Sequence, residues 1–251
     1  MNNNATLEKM KELRFTGMKN AFENVLNNAN HHEMTNDEFI CYLLEAEWLE
    51  RINRKTERLI RSARFRYQAC IENIEYSEGR NLDKNLMLRL ADCGFIERGE
   101  NIIITGPTGT GKSYLSSALG YQACLKGYKV MYFNLGKLFS KLRMAKADGT
   151  YIKEISRIEK QDLIIIDDFG LQPIDAKNTF VLLDIFEDRH QNKSTIITSQ
   201  VPLKKWYDLI PEKTIADAIL DRIVHTAHRI ELKGESLRRT MAQKKKQKIR
   251  I

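Results

Sequence analysis

Eight consecutive residues, Gly106-Pro107-Thr108-Gly109-Thr110-Gly111-Lys112-Ser113, match the pattern G-x-x-x-x-G-K-[ST] at every fixed position. That spacing suits a loop wrapped around a phosphate chain. The glycines let the backbone curl without a Cβ clash and turn its N–H groups inward. Lys112 then stands beside the β- and γ-phosphates, and the hydroxyl of Ser113 is a hard oxygen ligand suited to Mg²⁺. The flanks agree with this chemistry. Ile102, Ile103 and Ile104 form the β-branched run of a buried strand, and Leu115, Ala118, Leu119 and Ala123 recur at helical spacing after the loop. The loop therefore joins a strand to a helix N-terminus, where free N–H groups and the helix dipole favour phosphate. Tyr114, which follows the loop directly, is counted with the nucleotide-binding residues.

A second stretch, QDLIIIDDFGL, supplies what nucleotide hydrolysis would need. Leu163 to Ile166 read as an apolar strand ending on Asp167 and Asp168. Carboxylates at the carboxyl end of a buried strand lie beside the phosphate crevice. Asp167 is placed to hold Mg²⁺, and Asp168 to orient or deprotonate the attacking water. Asp168 is one methylene shorter than a glutamate, which points to slow turnover.

The elements that must position these groups alternate. Candidate strands at 101–105, 129–133, 162–167, 194–199 and 228–232 are separated by candidate helices at 113–126, 136–146, 176–191 and 214–226. This alternation predicts an α/β domain with a parallel sheet sandwiched by helices. The carboxylates come one strand after the loop strand and its neighbour in sequence, and the polar Thr198-Ser199-Gln200 ends the strand after that. The order describes the NTPase core in which the carboxylate strand need not adjoin the loop strand. It differs from a small-molecule kinase, which requires a lid and a second substrate pocket.

Residues 1–75 read as a helical N-terminal domain for binding DNA or a partner, with a break near NNANHHEMTND where Thr35 or Asn36 would cap a long helix. Residues 76–98 read as a connector, 99–240 as the nucleotide-binding domain and 241–251 as a basic, disordered tail. The formal net charge is +8, with the excess in the nucleotide-binding domain and the tail. The four cysteines lack a C-x-x-C pair and the five histidines lack H-E-x-x-H, so neither zinc nor a disulfide framework is indicated. No apolar run suits a membrane span and the N-terminus does not read as a signal peptide, which gives a cytoplasmic expectation.

With these motifs in this order the chain resembles the AAA+ ATPases, in their initiator and helicase-loader branch. Within that branch it is similar to the IstB-like family, the ATP-binding helpers of bacterial insertion sequences. DLIIIDDFGL, TIITSQVPLKKWYDLI and TIADAILDRIVHTAHRIELKGESLRR carry the likeness, and LEKMKELRFTGMKNAFE is similar to the family's helical start. The resemblance implies ATP and Mg²⁺ as ligands and an AAA+ P-loop core. It implies that Ser199 or, preferably, Gln200 is the polar sensor of the lytic water. Arg222 matches the arginine finger, acting on the nucleotide of a neighbouring subunit, where a guanidinium would neutralise charge developing on the γ-phosphate. Without that likeness, an ion pair of Arg222 with Asp217 or Asp221 is the plainer reading. Arg238 and Arg239 are candidates for a second sensor in cis, and Phe95 and Ile96 for the base pocket.

A nucleic-acid partner is indicated by charge. Arg51, Arg54, Arg58 and Arg61 share one helical face, widened by Lys55, Arg64 and Arg66, with Glu57 the sole acid within 51–66. Lys137, Lys141 and Arg143, with Lys146 and Lys153, form a second patch, in the segment where the resemblance implies a DNA-facing helix. No base-reading motif is present, so duplex binding by charge and shape is expected. The resulting expectation is an ATPase that assembles on duplex target DNA and assists a transposase. A replicative helicase loader and a P-loop small-molecule kinase are the rivals.

Overall fold

The computed structural model describes residues 2–27, 34–237 and 239. Arg238 and the tail 241–251 lie outside the described residues. The chain divides into two compact units, Met1–Arg58 and Leu59–Ile251.

The first unit is helical: α1 (Asn3–Glu12), α2 (Thr16–Asn27) and most of α3 (Asn36–Ala63). Thr35 and Glu38 close a capping box on α3: the Thr35 hydroxyl accepts from the Glu38 amide, and the Glu38 carboxylate accepts from the Thr35 amide at 2.8 Å. Gly17 lets α2 approach α3 closely, since a Cβ there would run into the backbone of Ala46 and Glu47. Glu47 is buried and accepts from the amides of Gly17 and Met18, at 2.8 and 3.3 Å, so it satisfies donors at the start of α2. On the other side of α3, Ile40, Leu44 and Trp48 are exposed.

The second unit contains α4 (Lys84–Ala91), α5 (Gly94–Glu97), β1 (Asn101–Thr105), α6 (Lys112–Leu125), β2 (Val130–Asn134), α7 (Leu135–Ala147) and α8 (Tyr151–Glu159). It continues with β3 (Leu163–Phe169), α9 (Ala176–Arg189), β4 (Ser194–Ser199), α10 (Trp206–Leu209), α11 (Lys213–Val224) and β5 (Ala227–Glu231). The five strands form one parallel sheet in the order β2-β3-β4-β1-β5, so β4 lies between the loop strand β1 and the carboxylate strand β3.

Each central strand is apolar on both faces, as a parallel sheet covered by helices requires. Ile102, Leu163, Ile165 and Ile196 face one core layer with Leu115, Leu119 and Ala123 of α6. Ile103, Ile164, Ile166 and Ile197 face the other, with residues of α7, α9 and α11. Residues 59–75 were grouped by sequence with the N-terminal helices. In the structure Ala63, Ala69, Ile71 and Ile74 are buried in the α6-side core of the second unit. Phe95 and Ile96, expected near the base, are instead buried in that same core, because α5 turns its apolar face onto the sheet. Among the described residues no helix is long and apolar enough to cross a membrane.

Candidate functional site

β1 ends at Thr105 and α6 begins at Lys112, with the glycine-rich loop between them. Gly106, Gly109 and Gly111 all have positive φ, 147°, 80° and 95°. At Gly106 the requirement is steric as well: a Cβ would stand 2.5 Å from the carbonyl oxygen of Leu232. The loop is braced internally, since the Thr110 hydroxyl donates to the Pro107 carbonyl at 2.8 Å. Lys112 Nζ donates to the carbonyls of Gly106 and Pro107, both at 2.8 Å. A cavity of about 580 Å³ opens beside the loop, and Thr108, Gly109, Gly111, Lys112, Ser113 and Tyr114 contribute to its wall. Asp168 and Gln200 border the same cavity.

The apolar strand β3 delivers the carboxylates. The pairing of β3 with β4 is regular through Ile166 and resumes at Phe169, with a bulge between them and Asp168 at φ 62°. A regular strand would send adjacent side chains to opposite faces; the bulge brings Asp167 and Asp168 to one side.

Asp167 is fully buried. Its Oδ1 accepts from Ser113 Oγ at 2.9 Å and from the Thr198 hydroxyl, and its Oδ2 accepts from the Tyr132 hydroxyl and from Arg66 Nη1 at 3.0 Å. Burial pushes this carboxyl up. The hydrogen bonds from Thr198, Tyr132, Ser113 and Arg66 outweigh burial and hold it below the ordinary aspartate value, so it is an anion. The Tyr132 hydroxyl is pushed well up, first by burial and then by its bond to Asp167, so it stays a neutral phenol that donates to Asp167.

A half-buried hydroxyl and a buried carboxylate 2.9 Å apart at a phosphate loop are hard oxygen donors, which fits Mg²⁺. Asp168 Oδ2 accepts from Asn134 Nδ2 at 2.9 Å and from Arg66 Nη1 at 3.2 Å.

Other expected residues separate from the site. Ser199 is buried and donates to the Phe169 carbonyl at 2.6 Å, so it is spent on the sheet, and Gln200 is the sensor candidate that borders the cavity. Arg222, on α11, donates to the Ala218 carbonyl at 2.8 Å and forms an ion pair with Glu187 of α9, not with Asp217 or Asp221. Arg51 and Arg54 are paired with Glu47 and Glu50, and Lys141 with Glu154. Arg58, Arg61, Lys137 and Arg143 are exposed and form no ion pair among the described residues.

Several site residues escaped the sequence reading. Arg66, placed there in the DNA stripe, reaches the carboxylates across 101 residues of sequence, a distance no local pattern signals. Asn134 and Thr198 stand at the carboxyl ends of β2 and β4, and the rule that flagged Asp167 applies to them too. Arg80 donates to the carbonyls of Glu75 and, at 2.9 Å, Thr110, and so ties the loop to the segment that lines the far wall of the cavity.

A parallel sheet with an inserted strand, a phosphate loop after β1 and paired carboxylates after β3 define a P-loop nucleotide-binding protein of the AAA+ type. The comparisons agree on the fold. DnaI matches with a TM-score of 0.56 at 20% identity, over 71% of this chain and 92% of that one. AMPPCP-bound DnaA from Aquifex aeolicus matches at 0.58 and 20%, over 74% and 56%. The family model "IstB-like ATP binding protein" matches residues 8–247, and the chain belongs to that family. It is 41% identical to the putative insertion sequence ATP-binding protein y4pL of Sinorhizobium fredii, over 95% of this chain and 98% of the relative. It is 28% identical to the insertion sequence IS21 putative ATP-binding protein of Pseudomonas aeruginosa, over 91% and 86%.

Proposed function

We propose that this chain is a DNA-binding ATPase that assembles with ATP on duplex target DNA and assists the transposase of an insertion sequence. The observation that carries the ATPase reading is the Ser113–Asp167 contact under the phosphate loop, with Asp168 and Gln200 bordering the same cavity. The insertion-sequence names of relatives up to 41% identical support the transposition reading.

In this reading Lys112 turns from the loop carbonyls to the β- and γ-phosphates. Ser113 and Asp167 hold Mg²⁺, which when bound neutralises charge on the phosphates. Gln200 and Asp168 orient a water in line with the γ-phosphate, and Asp168 takes its proton as the P–O bond to ADP breaks. Arg222 exchanges Glu187 for the γ-phosphate of a neighbouring subunit, so that assembly depends on ATP. The exposed Arg58, Arg61, Lys137 and Arg143 supply backbone contacts to DNA.

A helicase-loader reading is favoured by the fold likeness to DnaC, with a TM-score of 0.54, but at 19% identity that likeness is one of fold alone. Binding of random-sequence duplex and single strands, with ATP, with ADP and without nucleotide, separates the readings when particle size is recorded in parallel. ATP-dependent assemblies on duplex support the helper, and a preference for single strands supports the loader. Phosphate transferred to an acceptor, rather than released, would replace both with a kinase. Arg222→Ala should keep ATP binding and lose assembly and turnover. Normal turnover of that variant on DNA would remove the finger assignment.

A further inference from the structure

Arg66 follows the end of α3 by three residues and was grouped by sequence with the exposed arginine stripe. Its Nη1 instead lies 3.0 Å from Asp167 Oδ2 and 3.2 Å from Asp168 Oδ2, at the edge of the nucleotide cavity. Two carboxylates on adjacent residues repel one another when both are brought to one side of a strand, and a cation between them removes that repulsion. Asp168 also holds a left-handed backbone, φ 62°, which costs a non-glycine residue energy and persists only where surrounding bonds enforce it.

Those bonds are on view. The Asp168 amide donates to Thr198 Oγ1 at 3.3 Å, and its Oδ2 receives Asn134 and Arg66 together. Its Oδ1 accepts no hydrogen bond among the described residues. Oδ2 is clamped, Oδ1 is not, and Asp168 borders the nucleotide cavity. Asp167 differs, since Ser113 and Thr198 occupy its Oδ1 while Arg66 and Tyr132 occupy its Oδ2. The arginine therefore leaves the Ser113 side of Asp167, the side suited to Mg²⁺, uncontested.

We infer that Arg66 is a positioning residue for ATP hydrolysis: it clamps Asp168 Oδ2, with Asn134, so that the opposite oxygen is aimed at the attacking water. This rests on the reading of Asp168 as the water-orienting carboxylate. The side chain is 40% exposed and its guanidinium stands 5.7 Å from the Tyr67 ring centre, so shortening it opens no core void.

The test is steady-state ATP turnover with Mg²⁺ for the parent chain, Arg66→Ala, Arg66→Lys, Asp168→Asn and the Arg66→Ala/Asp168→Asn double variant. Binding of a fluorescent ATP analogue and thermal melting are measured beside it. Arg66→Ala should lower kcat about 10- to 100-fold with KM within about threefold, the signature of a misplaced group and not of lost binding. Arg66→Lys should recover much of the rate, because a single nitrogen makes both carboxylate contacts. In the Asp168→Asn background, removing Arg66 should take nothing further from the residual rate. An unchanged or raised kcat in Arg66→Ala, or an equal loss in the Asp168→Asn background, overturns the inference while the hydrolysis reading stands. Parent-like turnover in Asp168→Asn overturns the hydrolysis reading and the role of Arg66 with it.

Discussion

At the scale of single residues, the site depends on two aspartates with different surroundings. Asp167 is buried among four donors and Asp168 keeps an open oxygen, so their substitution should separate metal handling from water activation. Asp168→Asn should bind ATP as the parent does and lose about 100-fold in turnover, the usual size of a general-base contribution. Isothermal titration and phosphate release measure the two quantities independently. Weakened binding with unchanged turnover would reverse the assignment. The motif made Lys112, Ser113 and Asp167 legible in the sequence, because their spacing is dictated by the phosphate chain. Arg66 and Tyr132 were illegible as site residues. Each reaches Asp167 from another segment, and nothing local distinguishes them from a surface arginine or a core tyrosine.

At the scale of elements, the sheet is tied at its amino end by a buried arginine. Arg189, at the end of α9, donates to the carbonyls of Gln161, Asp162 and Ser194, at 3.0, 3.3 and 2.6 Å, and so fastens the starts of β3 and β4. Burial pulls its guanidinium down to about 10, so it stays a cation at neutral pH. Arg189→Leu takes a donor from each of these carbonyls, of which that of Asp162 keeps the Ser194 amide at 3.2 Å, and should cost about 3 kcal/mol, read by urea denaturation, since losing one member of a largely buried network leaves its partners desolvated. A change under about 0.5 kcal/mol would mean that water reaches the carbonyls.

The edge strand β5 is held beside β1 by a second device. Glu100 accepts from Arg98 and meets His228 of β5 at 2.9 Å. Its carboxyl is lowered to about 2 from an ordinary 4.5, chiefly by the Arg98 hydrogen bond. A carboxyl depressed in the folded state adds stability above its unfolded value and loses it as the pH falls through the folded one. Glu100→Gln should therefore melt lower than the parent at pH 7, with the gap closing as the pH falls from about 4.5 toward 2. A gap independent of pH would mean that packing, not charge, is responsible.

At the scale of the whole molecule, the basic excess has to be discounted for internal pairing. Arg51, Arg54 and Lys141 have acidic partners, whereas Arg58, Arg61, Lys137 and Arg143 have none among the described residues. Each cation that contacts a phosphate releases about one counterion, so Arg58→Ala and Arg61→Ala should each lower the salt slope of duplex affinity by about one. Arg51→Ala and Arg54→Ala should change it less. Equal slopes in all four variants would place the DNA elsewhere on the protein.

The sequence by itself determined the alternation of strands and helices, the phosphate loop and the acidic strand end. Those features follow from local rules: apolar periodicity, glycine geometry and the requirement that anions sit at helix N-termini. Only the tertiary structure decided that β4 separates β1 from β3, that a bulge turns Asp168 beside Asp167, and that Arg66 clamps both. Strand order, bulges and long-range ion pairs are set by which surfaces fit once the chain has folded back on itself, and no short stretch of sequence carries that energy.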